Sequence, residues 1–260
     1  MEIRTLTPAD VPDCQKLSAD RGWSAADIRW ALLVDVAEVF GIDAPDGGLA
    51  GAVVLTRYDT YAAIGMMLVA KRYERRGLGR RLMSHAIAAA DGVVALTATE
   101  FGRPLYERLG FAARGTSVTW TGRLPTAPET TRPVDDVTDL LAYDRAVFGA
   151  DRSRLLTRLP TGARIRAAAG GYGVAWDNDG TTLLGPIVAD DLATAQALTT
   201  DLAATADGPV RLDVTSAQPA FGAWSAAHLT RGAGTTIMSY GGPIPGDATR
   251  LYTPFSVATG

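Results

Sequence analysis

The chain has 260 residues, 47% of them hydrophobic and 20% charged, with a formal net charge of −3. That balance is ordinary for a globular protein long enough for one large domain or two smaller ones, and it lacks the basic excess of a nucleic-acid binder. Cys14 is the lone cysteine and His85 and His228 stand far apart, so neither an internal disulfide nor a metal site is expected.

From Met1 onward there is no apolar leader of the export type, and no uninterrupted apolar run nears membrane-spanning length. A cytoplasmic protein with no membrane contact is expected, and heavy use of alanine, glycine and arginine points to a GC-rich bacterial genome. Residues 3–6 read as a first strand. Thr7 as N-cap and Pro8 at the first helical position then start a helix that runs to about Asp20. Arg21-Gly22-Trp23 breaks it, and Ser24-Ala25-Ala26-Asp27 has the form of a capping box opening a second helix to Leu33. Strands are expected over 36–42, over 49–57 and in an apolar run ending at Val69. A helix over 78–90, a strand over 93–98, a short helix within 99–111 and a strand over 118–124, expected to close the first half, follow. Residues 125–133 hold three prolines and no apolar periodicity, and read as an extended linker. Beyond it come a helix over 135–148, a hairpin from 164–169 and 172–176, and a strand over 181–188. A helix over 191–206, a strand over 210–214 and a short helix over 221–229 complete the reading.

The densest chemistry lies in residues 68–82. There a buried strand runs into a basic, glycine-containing loop and then into a segment with helical spacing. Strand, glycine loop and helix start together make an anion site. First-turn N–H groups have no acceptor within the helix, the helix dipole favours negative charge, and glycines allow close approach. Gly77-Leu78-Gly79 lacks the third glycine of the dinucleotide fingerprint, and no Gly-Lys-Ser/Thr follows as in a P-loop. A phosphorylated ligand of another class is expected.

Glu74-Arg75-Arg76-Gly77-Leu78-Gly79 resembles motif A of the GNAT acyltransferase superfamily, Arg/Gln-x-x-Gly-x-Gly/Ala. It departs only at Glu74, where Gln or Arg is usual. Tyr106-x-x-x-Gly110-Phe111 is similar to a second feature of that superfamily, a tyrosine on the short helix after the fifth strand. The predicted order β-α-α-β-β-β-loop-α is also the superfamily's own. The resemblance implies an α/β fold of two tandem GNAT-like domains, each a mixed, mostly antiparallel sheet flanked by helices. Residues 1–124 would form the catalytic domain, 125–133 the linker, and 134–260 a degenerate copy. In that copy Leu212-Asp213-Val214-Thr215 resembles Leu96-Thr97-Ala98-Thr99. The basic glycine loop, however, is replaced by Ala189-Asp190-Asp191-Leu192, whose carboxylates would repel a pyrophosphate, and no tyrosine matches Tyr106. The copy would support the acceptor pocket, bury the first domain's open face or mediate dimerisation.

The resemblance further implies acetyl-CoA as cofactor and direct acetyl transfer to an amine, of a small molecule in the first instance. Gly77, Leu78 and Gly79 would hold the pyrophosphate through backbone N–H groups, with Arg75, Arg76 and Arg80 supplying charge. Met67, Leu68 and Val69 would bind the pantetheine arm and thioester oxygen through their backbone. Thr99 stands where many relatives have an asparagine that touches the cofactor chain. Tyr106 would be the general acid, and Trp23 a wall of the acceptor groove, with Trp30 in the core. The general base stays open among Glu38, Asp59, Glu100 and Asp20. Two alternatives remain: acylation of a protein or peptide amine, and an acyl-CoA-binding regulatory module without catalysis.

Overall fold

The computed structural model describes residues 1–24 and 28–259. Its first half runs β1 (Ile3–Thr5), α1 (Val11–Asp20), α2 (Arg29–Val36), β2 (Glu38–Asp43), β3 (Leu49–Arg57) and β4 (Ala62–Val69). α3 (Leu78–Ala90), β5 (Val94–Ala98), α4 (Arg103–Arg108) and β6 (Ala112–Gly122) follow. Thr7 and Asp10 form a reciprocal cap over a 3₁₀ turn that leads into α1, with the Thr7 N–H donating to Asp10 Oδ2 at 2.8 Å. The second cap, expected from residues 24–27, falls largely on residues outside those described. Both α1 and α3 pack on β3, and residues 49–56 are buried at every position, so this strand reads as an unbroken apolar run rather than an alternating one.

The second half begins with β7 (Arg132–Val134), α5 (Leu141–Phe148), α6 (Ser153–Leu156), β8 (Arg164–Ala168) and β9 (Gly171–Asn178). It continues with β10 (Thr181–Ala189), α7 (Leu192–Ala203), β11 (Val210–Thr215), α8 (Pro219–His228), β12 (Thr230–Tyr240) and β13 (Leu251–Thr253). The expected linker ends as ordered structure. The buried carboxylate of Asp201 accepts from the backbone N–H groups of Thr130 and Thr131 and from the Thr131 hydroxyl, and β7 then pairs with β8. α5 starts later than the expected position 135 because Asp136 accepts from the N–H and hydroxyl of Thr138, forming a turn ahead of the helix.

Each half is a GNAT-like α/β unit with a mostly antiparallel sheet, and the two sheets merge. Among the described residues they form one 13-stranded sheet in the order β1-β2-β3-β4-β5-β12-β6-β11-β10-β9-β8-β7, with β13 lying beside β10. Two pairs are parallel. β4 and β5 pair from Ala62↔Val94 to Ile64↔Leu96, and β10 and β11 pair at Thr182↔Val210 and Leu183↔Arg211.

The centre of the sheet corrects one expectation. Residues 118–124 do not close the first half against β5. Residues 118–122 belong to β6, which pairs antiparallel with β11 of the second half, from Ser117↔Thr215 to Gly122↔Val210. The place beside β5 is taken by β12, from Thr236↔Ala98 to Tyr240↔Val94, and β6 and β12 pair with each other. Each half therefore lends its last long strand to the other. β12 is rich in Thr and Gly and carries no clean alternation, so periodicity gave no sign of it.

Candidate active site

β4 carries a bulge where it leaves β5. Val54 faces Gly65 and Ala52 faces Leu68, so Met66 and Met67 together oppose Val53, and Met66 takes a left-handed φ of 47°. Past Ile64 no strand pairs with β4 on its β5 side among the described residues. The cleft opens there. At its mouth α3 starts on Gly77 in the left-handed conformation, φ +77°, with no side chain capping the helix. Its first-turn N–H groups are unmet by the helix itself. A Cβ on Gly77 would meet open space, so the φ is what selects glycine there; a Cβ on Gly79 would lie 3.1 Å from Met67 Cε, so glycine keeps the helix close to β4. Arg75, Arg76 and Arg80 are exposed around this start and form no ion pair among the described residues, although Arg76 lies 5.1 Å over the Tyr73 ring. Leu68 and Leu78 are buried, so any role they have toward a ligand is a backbone role.

The departure at Glu74 has a structural partner. Glu74 forms an ion pair with Arg21, and the Lys71 N–H donates to Asp20 Oδ2 at 2.7 Å, tying the glycine loop to the end of α1.

Tyr106 is buried on α4, and burial pushes its phenol up to about 12, so it holds its proton at neutral pH. Its hydroxyl has no hydrogen-bond partner among the described residues. Thr99 Oγ1 accepts from the Gly102 N–H at 3.2 Å and steadies the turn before this helix. Tyr106 and Thr99 line a cavity of about 530 Å³ together with Met66, Met67 and Trp23. The opposite wall comes from the second half, with Asp179 in the turn between β9 and β10 and Arg211 on β11. The tail residues Val257 and Ala258 complete the lining. That tail lies hard against the bulge, since a Cβ on Gly65 would sit 2.2 Å from the Ala258 carbonyl oxygen.

The structure separates the two tryptophans. Trp23 is 40% exposed and lines the cavity, whereas Trp30 is fully buried with its Nε1 donating to Ser18 Oγ at 2.8 Å. None of the four carboxylates left open as base lines the cavity: Glu38 pairs with Arg57, Asp59 with Arg145, Asp20 with the Lys71 N–H, and Glu100 is exposed. Sequence reasoning missed Asp179 and Arg211. The Asn178-Asp179-Gly180 run marks a hairpin tip, but nothing local says which cleft the tip will face. Ser24 Oγ donates to Asp179 Oδ2 at 2.5 Å, and Asn178 Oδ1 accepts from the Ile28 N–H at 2.9 Å, which docks that tip on the first half. Cys14 is buried in the first core, where burial pushes its thiol up to about 12, a poor setting for a nucleophile.

The corresponding place in the second half is closed. Asp191 caps α7, its carboxylate accepting from the Thr194 N–H at 2.8 Å, and Asp190 pairs with Arg250. β13 lies along β10, and Thr253 Oγ1 accepts from the Ile187 N–H at 3.0 Å, so the chain's own tail occupies the edge that β4 leaves open.

Comparison with known proteins agrees with this geometry. Profiles described as acetyltransferase (GNAT) domains match residues 36–113 and residues 140–253. An uncharacterized N-acetyltransferase of Bacillus subtilis strain 168, YitH, is 32% identical over 233 residues, covering 83% of this chain and 82% of the relative. A candidate acetyltransferase structure from Pyrococcus horikoshii superposes with a TM-score of 0.87 at 21% identity, over 100% of this chain and 95% of that one. A tandem GNAT protein from the clavulanic acid biosynthesis pathway superposes with a TM-score of 0.61 at 15% identity, over 93% and 99% of the two chains. The chain belongs to the GNAT superfamily of N-acetyltransferases, as a member with two GNAT-like domains in tandem.

Proposed function

We propose that the first half binds acetyl-CoA and passes its acetyl group directly to the amine of a small molecule held in the cavity between the halves. One observation carries the reading: a single cavity is lined by the bulged edge of β4, by a buried protonated tyrosine and by side chains of the second half. The cofactor's fit rests on the uncapped start of α3, the left-handed Gly77 and the unpaired edge of β4. Acetyl-CoA, when bound, supplies an acetyl group activated as a thioester.

The chain's own residues divide the remaining work. N–H groups of Gly77, Leu78 and Gly79, with Arg75, Arg76 and Arg80 around them, hold the phosphates. Backbone groups of Met67, Leu68 and Val69 hold the pantetheine arm and polarise the acyl oxygen, a use of fixed dipoles worth roughly 3–4 kcal/mol per donor in other enzymes. Thr99 flanks the arm. Tyr106 Oη holds the proton that a departing sulfur needs, and Trp23 walls the acceptor. With Cys14 sealed in the core, direct transfer is favoured over a thiol intermediate. A small acceptor is favoured over a protein chain because the second half and the tail both contribute to the cavity wall. A cytoplasmic setting belongs to the same reading; among the described residues no helix is long and apolar enough to cross a membrane.

The test is thiol release from acetyl-CoA in the presence of pools of small amines. Release that depends on an amine is the expected result. Binding of acetyl-CoA with no amine-dependent release from any pool would favour a non-catalytic acyl-CoA-binding module. That second reading has one observation on its side: among the described residues, Asp179 is the one carboxylate in the cavity wall, and Ser24 already engages it.

A further inference from the structure

The cavity's two walls differ in chemistry. The wall from β4 and β5 is mostly apolar, with Ile64, Met66, Met67 and Leu96 beside Thr97, whereas the wall from β6 and β11 presents Thr119, Thr121 and Arg211. The register explains this grouping: Thr121 faces Arg211 and Thr119 faces Asp213 across the β6–β11 pair, so their side chains share one face of the sheet. Arg211 Nη2 donates to both carboxylate oxygens of Asp213, at 3.0 and 3.1 Å, and Asp213 also accepts from the Thr119 hydroxyl at 2.6 Å. The rest of the guanidinium makes no hydrogen bond to the described residues. Arg211 Nε is buried with no partner, and Nη1 makes no hydrogen bond among the described residues. Nη1 therefore keeps its N–H groups available to an acceptor, and Arg211 lines the cavity.

We infer that the acceptor is an amine that also carries a carboxylate, and that Arg211 of the second half binds this carboxylate. The inference rests on the reading of the cavity as the acceptor site. Its amine is to react near Tyr106 and the bulge of β4, and Arg211 lines the same cavity as those groups. The Nη1 group of Arg211 is a charged donor that suits a carboxylate, with the Thr121 hydroxyl on the same face as a further donor. The neighbouring Asp213 disfavours a doubly charged phosphate more than a singly charged carboxylate. The silent half then has a definite task, which is to select the acceptor.

The test separates binding from chemistry by using product mimics. CoA-bound protein is titrated with the N-acetyl derivatives of the twenty common amino acids and with their carboxamides. At least one acid is expected to bind about tenfold or more tightly than its own carboxamide. Arg211→Gln is expected to remove that difference while leaving carboxamide and CoA affinities unchanged, and Arg211→Lys to keep part of it. Acids and carboxamides that bind alike, acids that do not bind at all, or a preference that survives Arg211→Gln would each overturn the inference. The wild-type comparison decides the matter even if a variant fails to fold. Acid-selective binding without thiol release from the parent amino acids would sink the catalytic reading and leave the carboxylate site standing; release that is indifferent to the carboxylate would do the reverse.

Discussion

The two halves share a plan and present opposite chemistry at the same place in it. In the first, β4 and β5 part after Ile64 and Leu96, and α3 begins on a left-handed glycine with no side chain capping it among the described residues. In the second, β10 and β11 part after Leu183 and Arg211, but β13 fills the edge and Asp191 caps the helix. A helix start attracts an anion only while its donors are unmet, and a splayed strand holds a ligand only while its edge is free. What distinguishes the open cleft from the closed one here is satisfaction of backbone groups, not architecture.

Three substitutions would break or sharpen that comparison. The largest effect is expected from Gly77→Glu, which puts a carboxylate where the phosphates belong. Acetyl-CoA affinity should fall by about a hundredfold or more, with a modest loss of Tm because a non-glycine residue held left-handed costs roughly 1–2 kcal/mol. Unchanged affinity in a folded variant would remove the cradle from the account.

Tyr106→Phe comes next. It should lower kcat by about a hundredfold to a thousandfold with acetyl-CoA affinity intact. The pH dependence has a defined sign. An acid whose pKa is raised stays protonated until pH climbs through the raised value, here about 12. No alkaline fall in rate below about pH 10, the ordinary tyrosine value, should therefore trace to Tyr106. A fall that disappears in the Phe variant would show a more accessible phenol than the structure has.

The smallest effect belongs to the second cleft. Asp191→Ala removes the α7 cap and should lower Tm by a few degrees, leaving acetyl-CoA affinity unchanged. A second binding site appearing in that variant would mean that the aspartate alone, rather than aspartate and β13 together, keeps the copy silent.

The glycine loop and helix start of the proposed cofactor side were legible in the sequence because their signals are local. The glycines of the loop, the helical spacing after Leu78 and the tyrosine four residues before Gly110 all act within a few turns of chain. The other wall of the cavity was not, because it is assembled from long-range contacts. Ser24 meets Asp179 and Thr121 faces Arg211 across the chain's two halves, and no periodicity encodes such partners. Strand exchange was hidden for the same reason: residues 118–124 read as a strand, yet their pattern does not say whether β5 or β11 lies alongside. Glu74 looked like a defect in the motif and is instead half of an ion pair that anchors the loop through Arg21.

The most direct test of the account is calorimetric titration of the purified protein with acetyl-CoA, with CoA alongside. One site per chain is the predicted result, with binding lost in Gly77→Glu and kept in Asp191→Ala. Two sites per chain would contradict the claim that β13 and Asp191 close the second cleft, and no binding at all would contradict the claim that the open start of α3 is a working phosphate cradle.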